Sequence, residues 1–352
     1  MALLAPISLS DKLLVIKHLA TLTRAGIPID ETLKILLEET TQRKLKTALA
    51  QILSRVQSGE SLAKSFAEFP RIFDPLFTHM VEVGERSGTL EQNLSYLVLQ
   101  YEKDAELVRK IRGAMLYPIL VVTAAVSMSF GITYFIIPKM TGIFATLNVE
   151  LPLTTRLLIR VSEVVRAYGG RIALLLIGFI SFFGWLVHQP KVRPHWHGLL
   201  LHVPIVGKLS RELNLARFSR TLGILLKSGL PLVEALAITE QTLENDVYRR
   251  IVRRVRSGTE RGQSIATVLH ESPARVVPVM ATRMIGIGER TGKLDEMLLY
   301  VSSLYEQSVD DTTKNLSTVL GPLLLVFIGG MIAFVALSII TPIYKLTGSL
   351  RR

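Results

Sequence analysis

The chain has 352 residues, 49% hydrophobic side chains and a net charge of +12, with a mean hydropathy of +0.38. This is too apolar for an ordinary soluble protein and too polar for a pure membrane bundle, so soluble-type domains joined to a few spans are expected. The absence of cysteine excludes disulfides and thiolate metal sites, and residues 1–12 show neither the basic start nor the small-residue cleavage site of a signal peptide.

Leu13, Ile16, Leu19, Ala20 and Leu22 recur at helical spacing. Gly26-Ile27-Pro28 ends that helix, because glycine suits a left-handed cap and proline cannot continue the ladder. Asp30 is placed to cap a second helix over 31–39. A third helix is expected over Thr41–Gln57, ended by Gly59. Ser61 caps a short fourth helix that stops before Pro70, and residues 74–86 form a fifth. A sixth starts at Leu90, carries Leu94, Leu97, Val98 and Tyr101, and meets no breaker before Gly113. It is expected to run on into the apolar stretch Ile119–Ile137, with Pro118 a tolerated kink at the membrane entrance. Two further stretches without charged side chains follow, Ile172–Val187 and Leu323–Ile343. The former is short beside the ~20 residues of a usual span, and a buried core helix is its alternative reading.

The second half of the chain repeats the first. Gly26-Ile27-Pro28 returns as Gly229-Leu230-Pro231, and Gly59-Glu60-Ser61-Leu62 as Gly262-Gln263-Ser264-Ile265. Gly84-Glu85-Arg86-Ser87-Gly88-Thr89-Leu90 returns as Gly288-Glu289-Arg290-Thr291-Gly292-Lys293-Leu294. Tyr96, Tyr101 and Glu102 return as Tyr300, Tyr305 and Glu306; Pro118 and Pro138 return as Pro322 and Pro342. The offset is 203 as far as Pro70/Pro273 and 204 from Met80/Met284, so one residue has been inserted between. Two copies are too few for a solenoid, which points to two homologous domains.

The expected fold is therefore an all-α membrane protein. Two homologous six-helix cytoplasmic bundle domains each run into a transmembrane helix, with three spans in total. The divisions are a first domain at 1–113, span one at 114–138, an extracytoplasmic linker at 139–170 and span two at 171–188. A second domain at 189–317, span three at 318–344 and a tail at 345–352 complete the chain. Two spans separate the repeats, so both lie on one side, and without an export signal that side is the cytoplasm. Arg109, Lys110, Arg112, Lys191 and Arg193 agree with the positive-inside rule. Arg156, Arg160, Arg166 and Arg171 run against it, as do Lys345, Arg351 and Arg352. The common environment that two homologous repeats require weighs more.

Catalytic signals are poor. No nucleophile elbow, paired-carboxylate spacing or Gly-rich loop ending in Gly-Lys-Ser/Thr is present. The three apolar stretches hold no Asp, Glu, Lys, Arg or His, the groups on which ion- and proton-coupled transport depends. His195, His197 and His202 cluster after span two, but no carboxylate lies at ligand spacing, and interfacial polar residues beside Trp196 are the plainer reading. No cofactor, metal or catalytic residue is expected. The basic charge lies near the spans rather than on one aromatic-rich face, so no nucleic-acid partner is expected either.

Two residue sets stand out. Gly84, Glu85, Arg86 and Gly88, with Gly288, Glu289, Arg290 and Gly292, form the doubled motif. Its first glycine allows close helix approach and its second a turn with positive φ; the Glu-Arg pair either ties the turn to a neighbouring helix or contacts a partner. Arg249, Arg250, Arg253, Arg254 and Arg256 share one helix face. They suit anionic headgroups or an acidic partner, or a solvated face paired with Glu240, Glu244 and Asp246.

In order along residues ~10–345, these motifs and Val203-Pro204-Ile205-Val206-Gly207-Lys208-Leu209 resemble the type II secretion F-protein/type IV pilus platform family (GspF/PilC-like). Few residues precede the first helix, fewer than many members of that family carry. The resemblance implies a non-enzymatic platform (scaffold) protein in the bacterial inner membrane, with its N-terminus cytoplasmic. Its cytoplasmic domains would engage a cytosolic hexameric ATPase. Its spans would engage pilin or pseudopilin subunits within a pilus, secretion or competence machine. Other inner-membrane components, the lipid bilayer and further copies in a homo-oligomer would be its remaining partners. Two like domains about an axis along the membrane normal would present matching surfaces to an ATPase ring. The alternative is a membrane-anchored adaptor or receptor with no filament role.

Overall fold

The computed structural model describes residues 7, 9–137, 153–189, 192–203, 206–273 and 276–349. Among them every element is helical and no strand occurs. Repeat one comprises α1 (Leu9–Arg24), α2 (Ile29–Glu39), α3 (Arg43–Gln57), α4 (Leu62–Ala67), α5 (Pro75–Ser87) and α6 (Leu90–Gly131). A π-helical turn, Ile132–Ile136, continues α6. Then come α7 (Leu153–His188) and the short α8 (Arg193–Leu200). Repeat two follows as α9 (Val206–Lys227), α10 (Leu232–Thr242), α11 (Asp246–Glu260), α12 (Ile265–His270), α13 (Val279–Thr291) and α14 (Leu294–Ser349).

Local chemistry sets these ends. The Ser61 hydroxyl accepts from the Lys64 amide at 3.3 Å, and Ser264 accepts from Thr267 at 3.1 Å, so both copies of the short helix start on a serine cap. Asp74 caps α5 by accepting from the Phe77 amide at 3.0 Å, with Pro75 in the first turn. Asp30, expected as the α2 cap, is not one. Pro28 holds that position without a side-chain bond, and Asp30 lies inside the first turn, where its charge favours the positive helix end. Gly88 and Gly292 end α5 and α13 at φ of 72° and 71°, a left-handed conformation that a Cβ would strain.

Contacts divide the chain into two compact units, residues 1–110 with 194–312 and residues 111–193 with 313–352. Both repeats fall in the first unit and share one hydrophobic cluster. Their cores are filled differently. Repeat one clusters Phe66, Phe73 and Phe77 with ring centroids 4.6–4.9 Å apart, Phe66 meeting the other two edge-to-face. Repeat two has Leu269 and Ala281 at the positions of Phe66 and Phe77, and Tyr248 where repeat one has Leu45. Tyr248 is buried and donates its hydroxyl to the Val276 carbonyl at 2.6 Å.

The second unit is built from the apolar parts of α6, α7 and α14. Among the described residues one helix, Leu90–Ile136, is long and apolar enough to cross a membrane. Its most apolar window has a mean hydropathy of 2.0 and is wholly unburied, an arrangement suited to lipid. Thr155–Ile172 and Leu174–Val187 meet the same test together, bent by 46°, and Leu324–Ser338 is a shorter apolar stretch. Residues 153–170, expected as linker, are helical and continuous with α7. Residues 139–152 of that linker and 350–352 of the expected tail lie outside the described residues; Lys345–Ser349 belongs to α14. Thr155 donates to the Ser338 carbonyl at 2.7 Å, and Ser162 to the Thr133 carbonyl at 2.7 Å. The latter carbonyl sits in the π-helical turn, where the regular ladder is disturbed.

A Cβ on Gly84 would lie 2.7 Å from the Leu90 Cα, and one on Gly288 would lie 2.6 Å from the Met297 Cβ. Gly84→Ala and Gly288→Ala are each expected to cost about 1–3 kcal/mol by forcing α5 from α6 and α13 from α14. Chemical denaturation of the detergent-solubilised protein measures it. Gly113→Ala, which meets nothing within 4 Å, is the unaffected control.

Candidate functional site

The doubled motif carries the same local device twice. Glu85 reaches back to the start of α4, where its carboxylate oxygens accept from the Leu62 and Ala63 amides at 2.8 and 3.1 Å. Glu289 does the same at α12, accepting from Ile265 and Ala266 at 2.8 and 3.3 Å. A carboxylate set against free helix N-terminal amides satisfies donors that the helix cannot. The two acids therefore tie α5 to α4 and α13 to α12. Arg86 faces outward, its side chain 81% exposed, with Glu82 at 3.8 Å. Arg290 is also exposed and donates Nε to the Gly286 carbonyl at 3.3 Å.

A second constellation, not singled out in the sequence, joins the repeats. Arg220 of α9 has a side chain only 3% exposed. Its Nε donates to Gln100 Oε1 at 2.8 Å, one terminal nitrogen to Glu306 Oε1 at 2.6 Å, and the other to Asp104 Oδ1. Gln100 and Asp104 belong to α6, and Glu306 belongs to α14. Arg217 adds a second positive charge 3.5 Å from Asp104. Burial pushes the Asp104 carboxyl above its usual range, while the Arg220 and Arg217 guanidiniums pull it down. Six residues on, Lys110 of α6 meets Asp310 of α14 at 2.6 Å. The repeat offset held the signal: it maps Lys17 onto Arg220 and Glu102 onto Glu306. Lys17 and Glu102 do pair, at 2.6 Å, but with side chains 43% and 42% exposed. Only the copy in repeat two is buried and draws in the other repeat.

A related asymmetry lies at Tyr101. Its hydroxyl donates to Asp74 Oδ2 at 2.5 Å, tying α6 to the start of α5. Burial and the Asp74 charge hold this phenol well above its usual pKa, so it stays a donor. Repeat two has Pro278 at the cap position.

The five arginines of α11 differ in their surroundings. Arg253 and Arg256 both reach the buried Glu240, at 2.7 and 3.1 Å. Arg249 pairs with Asp246 at 3.4 Å and donates to the Leu243 carbonyl. Arg250 and Arg254 face no carboxylate among the described residues; they bond the Asp246 carbonyl and the Ser272 hydroxyl. Of the pairing expected with Glu240, Glu244 and Asp246, Glu240 and Asp246 thus take three of the five, while Glu244 lies 3.3 Å from Arg217. The clustered histidines turn to separate partners: His197 lies 3.4 Å from Asp246, and His202 lies 2.8 Å from the Gly198 carbonyl. Among the described residues no group of three or more His, Asp or Glu could hold a metal.

Removing the guanidinium by Arg220→Met leaves the part-buried Asp104 and Glu306 with only Arg217 at 3.5 Å and Lys103 at 3.4 Å, and a loss of about 2–4 kcal/mol is expected. Lys17→Met removes an exposed pair and is expected to cost at most ~1 kcal/mol. Urea titration of both variants beside the parent protein distinguishes them. Equal losses would mean that the buried node does not hold the repeats together.

The family model described as "Type II secretion system (T2SS), protein F" matches residues 15–138 and again 218–342, one match for each repeat and its following apolar helix. A type II secretion system protein F of Aeromonas hydrophila is 36% identical over 341 residues, 96% of this chain and 87% of its own length. A type IV pilus assembly protein PilC of Thermus thermophilus is 35% identical, covering 97% of this chain and 84% of its own length. The type II secretion system protein F of Pseudomonas aeruginosa is 34% identical over 340 residues. With both repeats matched and near-complete coverage at such identity, this chain belongs to the type II secretion system protein F family.

Proposed function

We propose that this protein is the inner-membrane platform of a type IV pilus or type II secretion machine. The observation that carries the reading is the family match on both repeats, together with relatives named for pilus assembly and for secretion over almost the whole chain. The platform is a scaffold without chemistry of its own. α6, α7 and α14 are its three spans, and both repeats and the N-terminus face the cytoplasm. The repeats take up motion from a hexameric assembly ATPase; the spans pass it to pilin or pseudopilin subunits.

The fold supports this division of labour. α6 and α14 each run from the repeats into the apolar unit without a break, over 42 and 56 residues. The Arg220 node and the Lys110–Asp310 pair lock these helices together within the repeats. A push on either repeat is therefore delivered to both helices at once. In the apolar unit, Val126, Phe130, Val165, Phe327 and Met331 line a groove of about 320 Å3, suited to the packing of an apolar helix. In the doubled motif the acids serve the fold, and exposed Arg86 and Arg290 are the members free to contact a partner.

Mild-detergent purification from native membranes, with mass spectrometry of what accompanies the protein, tests the reading. Recovery of an assembly ATPase and a pilin-like subunit is expected. The double variant Arg86→Ala, Arg290→Ala is expected to lower ATPase recovery about tenfold without loss of thermal stability, as for removal of two charged interface contacts. Recovery of neither partner from well-folded protein would favour the adaptor alternative.

A further inference from the structure

Leu201, Val247, Ile251 and Val276 line a groove of about 510 Å3, and Arg250, Arg254 and the Glu240-paired Arg253 line it beside them. Both arginines are exposed. As described above, neither faces a carboxylate among the described residues, whereas Arg249, Arg253 and Arg256 on the same helix all do. Two uncompensated guanidiniums beside an apolar lining suit a ligand with an anionic head and an apolar body. The chain itself supplies a reason for a bilayer source. Gly198 and Leu201 of this groove lie 10 and 13 residues after His188, where α7 ends, so the chain links the groove to an apolar helix through the short α8. Repeat two has an apolar helix at both ends, α7 before it and α14 continuing from it. At the positions matching Arg250 and Arg254, repeat one has Thr47 and Gln51.

We infer that this groove binds an anionic phospholipid of the surrounding bilayer, the phosphodiester held by Arg250 and Arg254 and part of an acyl chain against the apolar lining. An acidic protein segment would also satisfy the arginines; the apolar lining and the link to α7 favour lipid. The inference rests on α7 being a span, not on the ATPase or pilin contacts.

The full chain is placed in nanodiscs of phosphatidylcholine with a fixed fraction of phosphatidylglycerol, and retained lipids are counted by native mass spectrometry after release into detergent. Parent protein is expected to keep phosphatidylglycerol. R250Q/R254Q is expected to keep about tenfold less, as for loss of charge-assisted contacts to a phosphate. R43Q/K46Q, which removes the same charge from α3, is expected to behave as the parent. Soluble glycerol phosphate in excess is expected not to displace the lipid. Unchanged retention in R250Q/R254Q, equal loss in both variants, or displacement by glycerol phosphate would each overturn the proposal. So would a photo-crosslinker at Leu201 that labels protein rather than lipid. Cysteine-accessibility labelling along α7 runs beside these arms. Free labelling would remove the span and the proposal with it. Protection of α7 with unchanged lipid retention would remove the groove alone.

Discussion

A single buried guanidinium makes the two repeats one object. Arg220 has too little water around it to stand alone, and its acceptors come from both halves of the chain: Gln100 and Asp104 from one, Glu306 from the other. Neither repeat by itself could bury this charge. A buried ion pair adds little net stability over a well-packed apolar substitute, but breaking one is costly. Its effect is therefore to specify the pairing of the repeats rather than to add much to the depth of the native state. The hydrophobic cluster that runs through both repeats supplies that depth.

The repeats have kept their joints and changed their filling. The glycines that close α5 and α13, the serines that open α4 and α12, and the carboxylates of Glu85 and Glu289 are used identically. The aromatic trio and the Tyr101–Asp74 bond belong to repeat one; Tyr248, the basic face of α11 and the buried arginine belong to repeat two. Joints are fixed because each satisfies a specific backbone group or a close approach. Core volume can be redistributed as long as the total is preserved.

Most of the helices and their ends were legible in the sequence, because they rest on local signals: Ser61, the Gly-x-Pro turns, and the run from Leu90 to the first apolar stretch. Asp30 misled because a proline two residues earlier already sets the dihedral that a cap needs. The helical character of residues 153–170 was obscured by arginines, which hide an amphipathic pattern when only uncharged runs are sought. The role of Glu85 and Glu289 was half visible: their repetition marked them, but their partners lie over twenty residues away in the chain. The Arg220 node was hidden for a similar reason. Its acceptors are 86 to 120 residues distant, and only the repeat offset, carried one pair further to Lys17, brings it into view.

The connector between the short helix and the next one is a residue longer in repeat two. It runs over 68–74 in the first copy and 271–278 in the second, and this is where the offset changes from 203 to 204. A helix advances about 100° per residue, so the same insertion within α5 or α13 would have swung every later side chain a quarter-turn and more around the axis. Glu289 would then have pointed away from the amides of Ile265 and Ala266, and Gly288 would have exchanged its contact with α14 for one bearing a bulkier side chain. Length has drifted only where no rotational phase was at stake.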